Sequence, residues 1–190
     1  MKQAHKIVFR SIAVILITAM LFSCINDSNK VRDFLAEKNL PIAVAKDAYH
    51  VYKDSGRVTS KLMTPYLNDF SNRKNHPYKE FPKGIKIINF ENNGKDSLTI
   101  IGDYSLSYVK TSISEIRGNV VIINHTDQSR LETEQLFWDR RNKYFFTEKS
   151  FVLTRSNDTI VGVGFESMEN LDKYVAKQTK GNIIANENEI

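Results

Sequence analysis

From Asp47 to Thr179 the chain is a near-continuous series of short runs rich in β-branched and aromatic residues, each closed by Gly, Asn, Asp, Ser or Arg. That punctuation constrains the fold more than any other feature, because short strands joined by tight polar turns fold back on their neighbours as an antiparallel meander. The stretch 130–164 shows the plan. Residues 131–139 form one strand, Arg140-Arg141-Asn142 a polar turn, and residues 144–148, 151–155 and 159–165 three further strands. Upstream, residues 48–52 and 57–63 flank Asp54-Ser55-Gly56, where Gly56 supplies the positive φ of a hairpin turn. Residues 85–90, 98–110 and 115–124 read as strands, 70–82 as a loop with two prolines, and 173–179 as the last strand.

Alternation assigns faces. In the long strand 98–110, Leu98, Ile100, Gly102, Tyr104 and Leu106 share one face by period two. In the next strand Ile116, Gly118, Val120 and Ile122 do the same, with Val121 and Ile123 opposite. Glycines stand inside strands at Gly102 and Gly118, and again at Gly164 and Gly181. A strand-interior glycine marks a bulge, a bend or a close backbone approach, and the near-regular spacing suggests hairpins stacked on a common plan.

The N-terminus is of another kind. Lys2, Lys6 and Arg10 precede an apolar run at 12–22, followed by Ser23 and Cys24. A basic segment, a short apolar core and a small residue at the cut describe an export signal, and the run is short of the roughly 20 residues that span a bilayer. Leu21-Phe22-Ser23-Cys24 resembles the bacterial lipobox, which makes Cys24 the expected lipid anchor. With one cysteine the chain forms no internal disulfide. The expected organisation is a lipoprotein signal peptide over 1–23, a lipidated tether over 24–46 with a short helix at 31–39, a β-domain over 47–181 and a polar tail over 182–190. Removing the leader takes three positive charges from a net charge of +5, leaving +2, so the basic balance gives no support to nucleic-acid binding.

No catalytic constellation is found. His50, His76 and His125 are far apart and lack zinc-ligand spacing. Glu132 and Glu134 lie two apart on one strand and read, with Asp139, as a solvated or Arg-paired face. There is no Gly-x-Ser-x-Gly elbow, and Gly162-Val163-Gly164 lacks the third glycine and the helix of a dinucleotide loop. No enzyme activity, cofactor or metal is expected. What the strands do carry is apolar area, either a filled core or an open trough, with Lys86, Lys110, Arg117, Arg130, Arg140 and Arg141 as candidate rim cations for phosphate or carboxylate groups.

Gly118-Asn119-Val120-Val121, Leu131-x-Thr-Glu-Gln-Leu-x-Trp-Asp139 and Ile160-x-Gly-x-Gly-Phe-Glu-Ser167 resemble the LptC family, the periplasmic component of the lipopolysaccharide export transporter. Tyr52-Lys-Asp-Ser-Gly56 leading to Pro65, Phe81-Pro-Lys-Gly84 and residues 98–104 extend the resemblance over roughly residues 42–181. It implies a twisted antiparallel β-jellyroll, open along one side. Such a domain takes lipopolysaccharide from an inner-membrane ABC transporter and passes it to a similarly folded periplasmic bridge protein by strand pairing. The lipobox departs from the membrane-spanning helix of many members. It implies a lipid-anchored protein of the bacterial cell envelope, at the periplasmic face of the inner membrane or, as Ile25 after the cysteine would favour, at the outer membrane. Candidate groove positions are Ile100, Tyr104, Val120, Ile122, Leu136, Trp138, Phe146 and Phe165. Leu136 and Trp138 share a face with Glu134, so turning them inward requires that face to point in or a bulge to intervene. The alternative reading is a lipid-binding or structural outer-membrane lipoprotein without a transport role.

Overall fold

The computed structural model describes residues 28–180, apart from 92, 93, 95 and 157. The leader, Cys24, Gly181 and the tail 182–190 lie outside the described residues. A ten-residue helix, α1 (Ser28–Glu37), precedes eleven strands. These are β1 (Ala43–Asp54), β2 (Arg57–Phe70), β3 (Tyr78–Phe81), β4 (Ile85–Glu91), β5 (Asp96–Gly102) and β6 (Tyr104–Tyr108), then β7 (Ile113–Asn124), β8 (Arg130–Asp139), β9 (Tyr144–Thr154), β10 (Thr159–Met168) and β11 (Tyr174–Lys180). All pair antiparallel. β1 pairs only β2, β2 pairs β4 with residues 60–63 and β3 with residues 68–70, and β5 and β6 share one side of β7. β8 to β11 then follow in chain order. This is the expected all-β, jellyroll-like fold.

The sheet is creased. β3 and β4 meet at Gly84 (φ 93°), β5 and β6 at Asp103, and the long strands cross the same line through bulges: β7 at Gly118 (φ 71°) and Asn119 (φ 46°), β8 between Thr133 and Phe137, β10 at Gly164 (φ 78°). A bulge breaks the ladder and leaves backbone groups without their usual partners. Buried threonines supply them. Thr64 Oγ1 donates to the Gly84 carbonyl at 2.8 Å, and Thr133 Oγ1 to the Ser150 carbonyl at 2.8 Å. The Asp103 amide donates to the Gly118 carbonyl at 2.9 Å. Gly102 is compelled by space rather than φ, since a Cβ there would overlap Ile116 Cγ2.

The crease lets two arms face each other. In one arm a single register row runs Leu62, Ile87, Ile100, Ile122, Leu131, Leu153, Ile160 across seven strands. Ile100, Ile122, Leu131 and Leu153 have no exposed surface, and each such side chain contributes about 1.5–3 kcal/mol on burial. The other arm presents Phe81, Ile116, Leu136, Trp138, Phe145 and Phe165 to the same core. Phe151 and Phe165, from opposite arms, pack with ring centroids 5.0 Å apart.

Several sequence boundaries shift. The expected loop at 70–82 contains β3, which pairs β2 and β6. The expected strands 144–148 and 151–155 are one strand, β9, crossing the crease. The expected strand 98–110 is two, because the break at Asp103 resets the alternation. Ile100 points in before it, whereas after it Ser105 is the buried residue. β1 begins at Ala43, within the segment expected to be tether.

Urea unfolding of three variants tests the crease and the row. Ile122→Ala is expected to cost about 2–5 kcal/mol. Thr133→Val, which removes the hydroxyl that donates to the Ser150 carbonyl, should cost about 0.5–1.5 kcal/mol. Glu134→Ala, on the exposed face, should stay within about 0.5 kcal/mol. Equal losses in all three would remove the assigned role of the crease.

Candidate functional site

The core is not filled along its whole length. At the β9–β11 end Phe145, Phe151, Phe165 and Leu171 occupy the space between the arms. The turn after β10 closes that end: Asn124 Nδ2 donates to the Asn170 carbonyl at 2.9 Å, and the Arg155 guanidinium donates to the Leu171 carbonyl. Toward β2 and β4 the arms diverge around a trough of about 640 Å3. That size falls within the roughly 300–1,000 Å3 of clefts that hold small apolar ligands. Leu62, Ile85 and Ile87 form one wall, Phe81 and Trp138 the other, with Ser107 and Ser114 hydrogen-bonded to each other at 3.2 Å between them.

Charge is confined to the mouth, where Arg140, Lys143, Glu91 and Glu169 meet Tyr52. Lys143 Nζ reaches Glu91 Oε1 at 2.8 Å, an ion pair that spans from the β8–β9 turn of one arm to β4 of the other. The Glu169 carboxylate accepts the Trp138 indole N–H. Burial nevertheless raises the Glu169 pKa above the usual carboxylate range, with the indole and Lys143 opposing it. Arg140 differs from its neighbours. Its Nε donates to the Ser112 carbonyl at 3.2 Å, and no carboxylate pairs with it among the described residues. Desolvation at the mouth lowers its pKa, with Tyr52 acting in the opposite direction.

Of the candidate groove positions, Ile100, Val120, Ile122, Leu136, Trp138 and Phe165 lie in the core, and Trp138 lines the trough. A bulge after Thr133 turns Leu136 and Trp138 inward despite their shared spacing with Glu134. Two positions do not face this core. Tyr104 stands on the outer face, where its hydroxyl donates to Glu80 at 3.0 Å and Arg117 lies over its ring. Partial burial and the Glu80 carboxylate raise its pKa to about 12. Phe146 also faces outward, stacked on Phe137 at 5.0 Å, while its neighbour Phe145 is the buried one. Two adjacent phenylalanines gave period two no means of choosing.

Among the expected rim cations only Arg140 is at the trough. Arg117 pairs with Glu115, Arg130 with Glu132, and Lys110 donates to the Lys74 carbonyl on the outside. Lys143 went unrecognised, and so did the wall residues Leu62, Ile85, Ile87 and Phe81. Alternation in β4 offered Ile85 and Ile87 as one face, but their meeting with Leu62 and Phe81 depends on strand pairing. Among the described residues no group of His, Cys, Asp and Glu could hold a metal ion.

The family model for lipopolysaccharide-assembly, LptC-related proteins matches residues 12–177, nearly the whole chain. The chain belongs to the LptC family. Membership places it in lipopolysaccharide transport and in the cell envelope, alongside the Lpt transporter, and this is a transport family rather than an enzyme family. No curated protein matches the chain. No helix among the described residues is long and apolar enough to cross a membrane.

The mouth of the trough carries its own pH signature. A carboxyl whose folded pKa is raised contributes stability that is present below its ordinary pKa and lost as pH rises through the raised value. Glu169→Gln does not titrate, so its unfolding midpoint should gain on the wild type between pH 4 and pH 7. A constant difference across that window would contradict the burial assigned to Glu169.

Proposed function

We propose that this LptC-family protein binds the acyl chains of lipopolysaccharide in the trough between its arms and relays them from an inner-membrane ABC transporter to a periplasmic bridge protein, with no chemistry of its own. The observation that carries the reading is the trough itself, a largely apolar space with an arginine at its mouth that pairs with no carboxylate among the described residues. Hydrocarbon entering it gains about 25 cal/mol per Å2 of apolar surface removed from water. Arg140, which pairs with no carboxylate among the described residues, favours an anionic group at the mouth, and the phosphates of a lipid headgroup have the charge and geometry for its guanidinium. Apolar walls with few directional contacts hold chains without fixing them, as a relay requires.

Two sheet margins support the hand-over. β1 is a twelve-residue strand paired only to β2, and β11 is paired only to β10 among the described residues. Each has one unpaired side among the described residues, so one margin can add to a strand of the transporter and the other to the bridge protein. β1 displays Val44, Tyr49 and Val51 in the open, an aggregation hazard unless a partner covers them. Cys24, the lipid anchor in this reading, would hold the domain at the periplasmic face of the inner membrane.

Photocrosslinking in living cells tests the trough. A photoreactive residue at Ile87 is expected to yield an ATP-dependent lipopolysaccharide adduct, and one at Phe146, on the outer face, none. Adducts at Phe146 alone would move the lipid outside the fold. Absence at both would leave a filled structural domain.

A further inference from the structure

We infer that α1 is a membrane-surface helix, its exposed face resting on anionic phospholipid. Helical spacing places Lys30, Val31, Phe34 and Glu37 on one side, with Lys38 just past the last turn, and Val31 and Phe34 are 51% and 57% exposed. Arg32, Asp33, Leu35 and Ala36, all half-buried, face the other way. Two apolar side chains flanked by lysines, on a helix of low overall hydrophobicity, suit an interface where apolar groups enter the acyl boundary and ammonium groups reach the phosphates.

The helix is fixed to the domain. Its acid Asp33 is taken up by Arg32 at 3.0 Å and by Lys74 at 3.8 Å. Asn39, at φ 58°, turns the chain out of the helix, with the Leu40 amide donating to the Leu35 carbonyl at 2.9 Å. Asn72 Nδ2 donates to the Leu40 carbonyl at 3.3 Å, and the Arg73 guanidinium donates to Asn39. The loop beneath is basic too, with Arg73 and Lys74 braced by Lys110, while Glu37 is the one exposed acid on α1.

Chain length identifies the occupant. Only residues 25–27 separate Cys24 from Ser28, and four steps of extended chain reach about 14 Å. Headgroups add roughly 5–8 Å to each side of the hydrocarbon core, so a helix on so short a lead starts at the interface. Basic residues near an anionic surface are drawn to it, which would hold α1 down and set the orientation of the jellyroll. The inference rests on residues 12–24 being a membrane anchor, but not on the cargo of the trough.

The test uses the full chain in vesicles of phosphatidylcholine with or without 30% phosphatidylglycerol (about 0.3 mole fraction, chosen to supply surface charge). In a Trp138→Phe background, the fluorescence of Phe34→Trp should be quenched by lipids spin-labelled near the headgroup, at least twofold more with phosphatidylglycerol. Tyr49→Trp, on exposed β1, should not be quenched. In the unaltered chain, amide exchange over residues 30–38 should slow at least threefold on adding phosphatidylglycerol. Chain that floats with the vesicles but shows equal quenching at both positions and unchanged exchange overturns the inference and leaves the anchor standing, with a protein partner as the occupant of this face. Chain that does not float overturns both.

Discussion

A creased sheet leaves backbone groups without their ladder partners, and the rest of this molecule follows from how those groups are met. Along one line the ladder is broken in strand after strand, and the freed carbonyls of Gly84 and Ser150 are met by the buried hydroxyls of Thr64 and Thr133. Gly84, Gly118 and Gly164 take up the positive φ that the turn of direction demands. With the crease in place, strands that are apolar on one face bury it against the other half of their own sheet. No covering helix layer is needed. The helix α1 lies at the margin.

The same geometry explains why the interior is uneven. On the β9–β11 side, aromatic rings from both arms meet, and Leu171 and Arg155 close the gap. On the β2–β4 side an aliphatic wall faces Phe81 and Trp138 across open space, and the Lys143–Glu91 pair spans the mouth. An exposed ion pair of this kind contributes about 0–1 kcal/mol, a weak strap rather than a closure. Fullness at one end holds the arms together, and the gap at the other gives an apolar guest somewhere to go.

Much of the fold was legible because turn chemistry and alternation are local. Gly56, the Asn and Asp turns and the runs between them gave an antiparallel meander, and the strand-interior glycines marked bends that the structure bears out at Gly118 and Gly164. The phase of each strand beyond its bend was not legible. Tyr104 follows Ile100 at even spacing yet points outward, because the break at Asp103 adds a residue to the count. Thr133 and Leu136 both point inward at odd spacing, for the converse reason, a bulge between them. Cross-strand register was equally hidden. The trough needs Leu62, Ile87 and Ile100 on one row, and no local pattern sets which residues meet across strands.

The central claim is that lipid chains enter the space between the arms. Trp138, the only tryptophan, lines that space at 6% exposure, so its own fluorescence reports occupancy without any substitution. Titration with a lipid brominated midway along its acyl chains should quench Trp138 saturably, and unlabelled lipopolysaccharide should reverse the quenching. Lipid that binds with no quenching of Trp138 would place the cargo outside the fold and contradict the account.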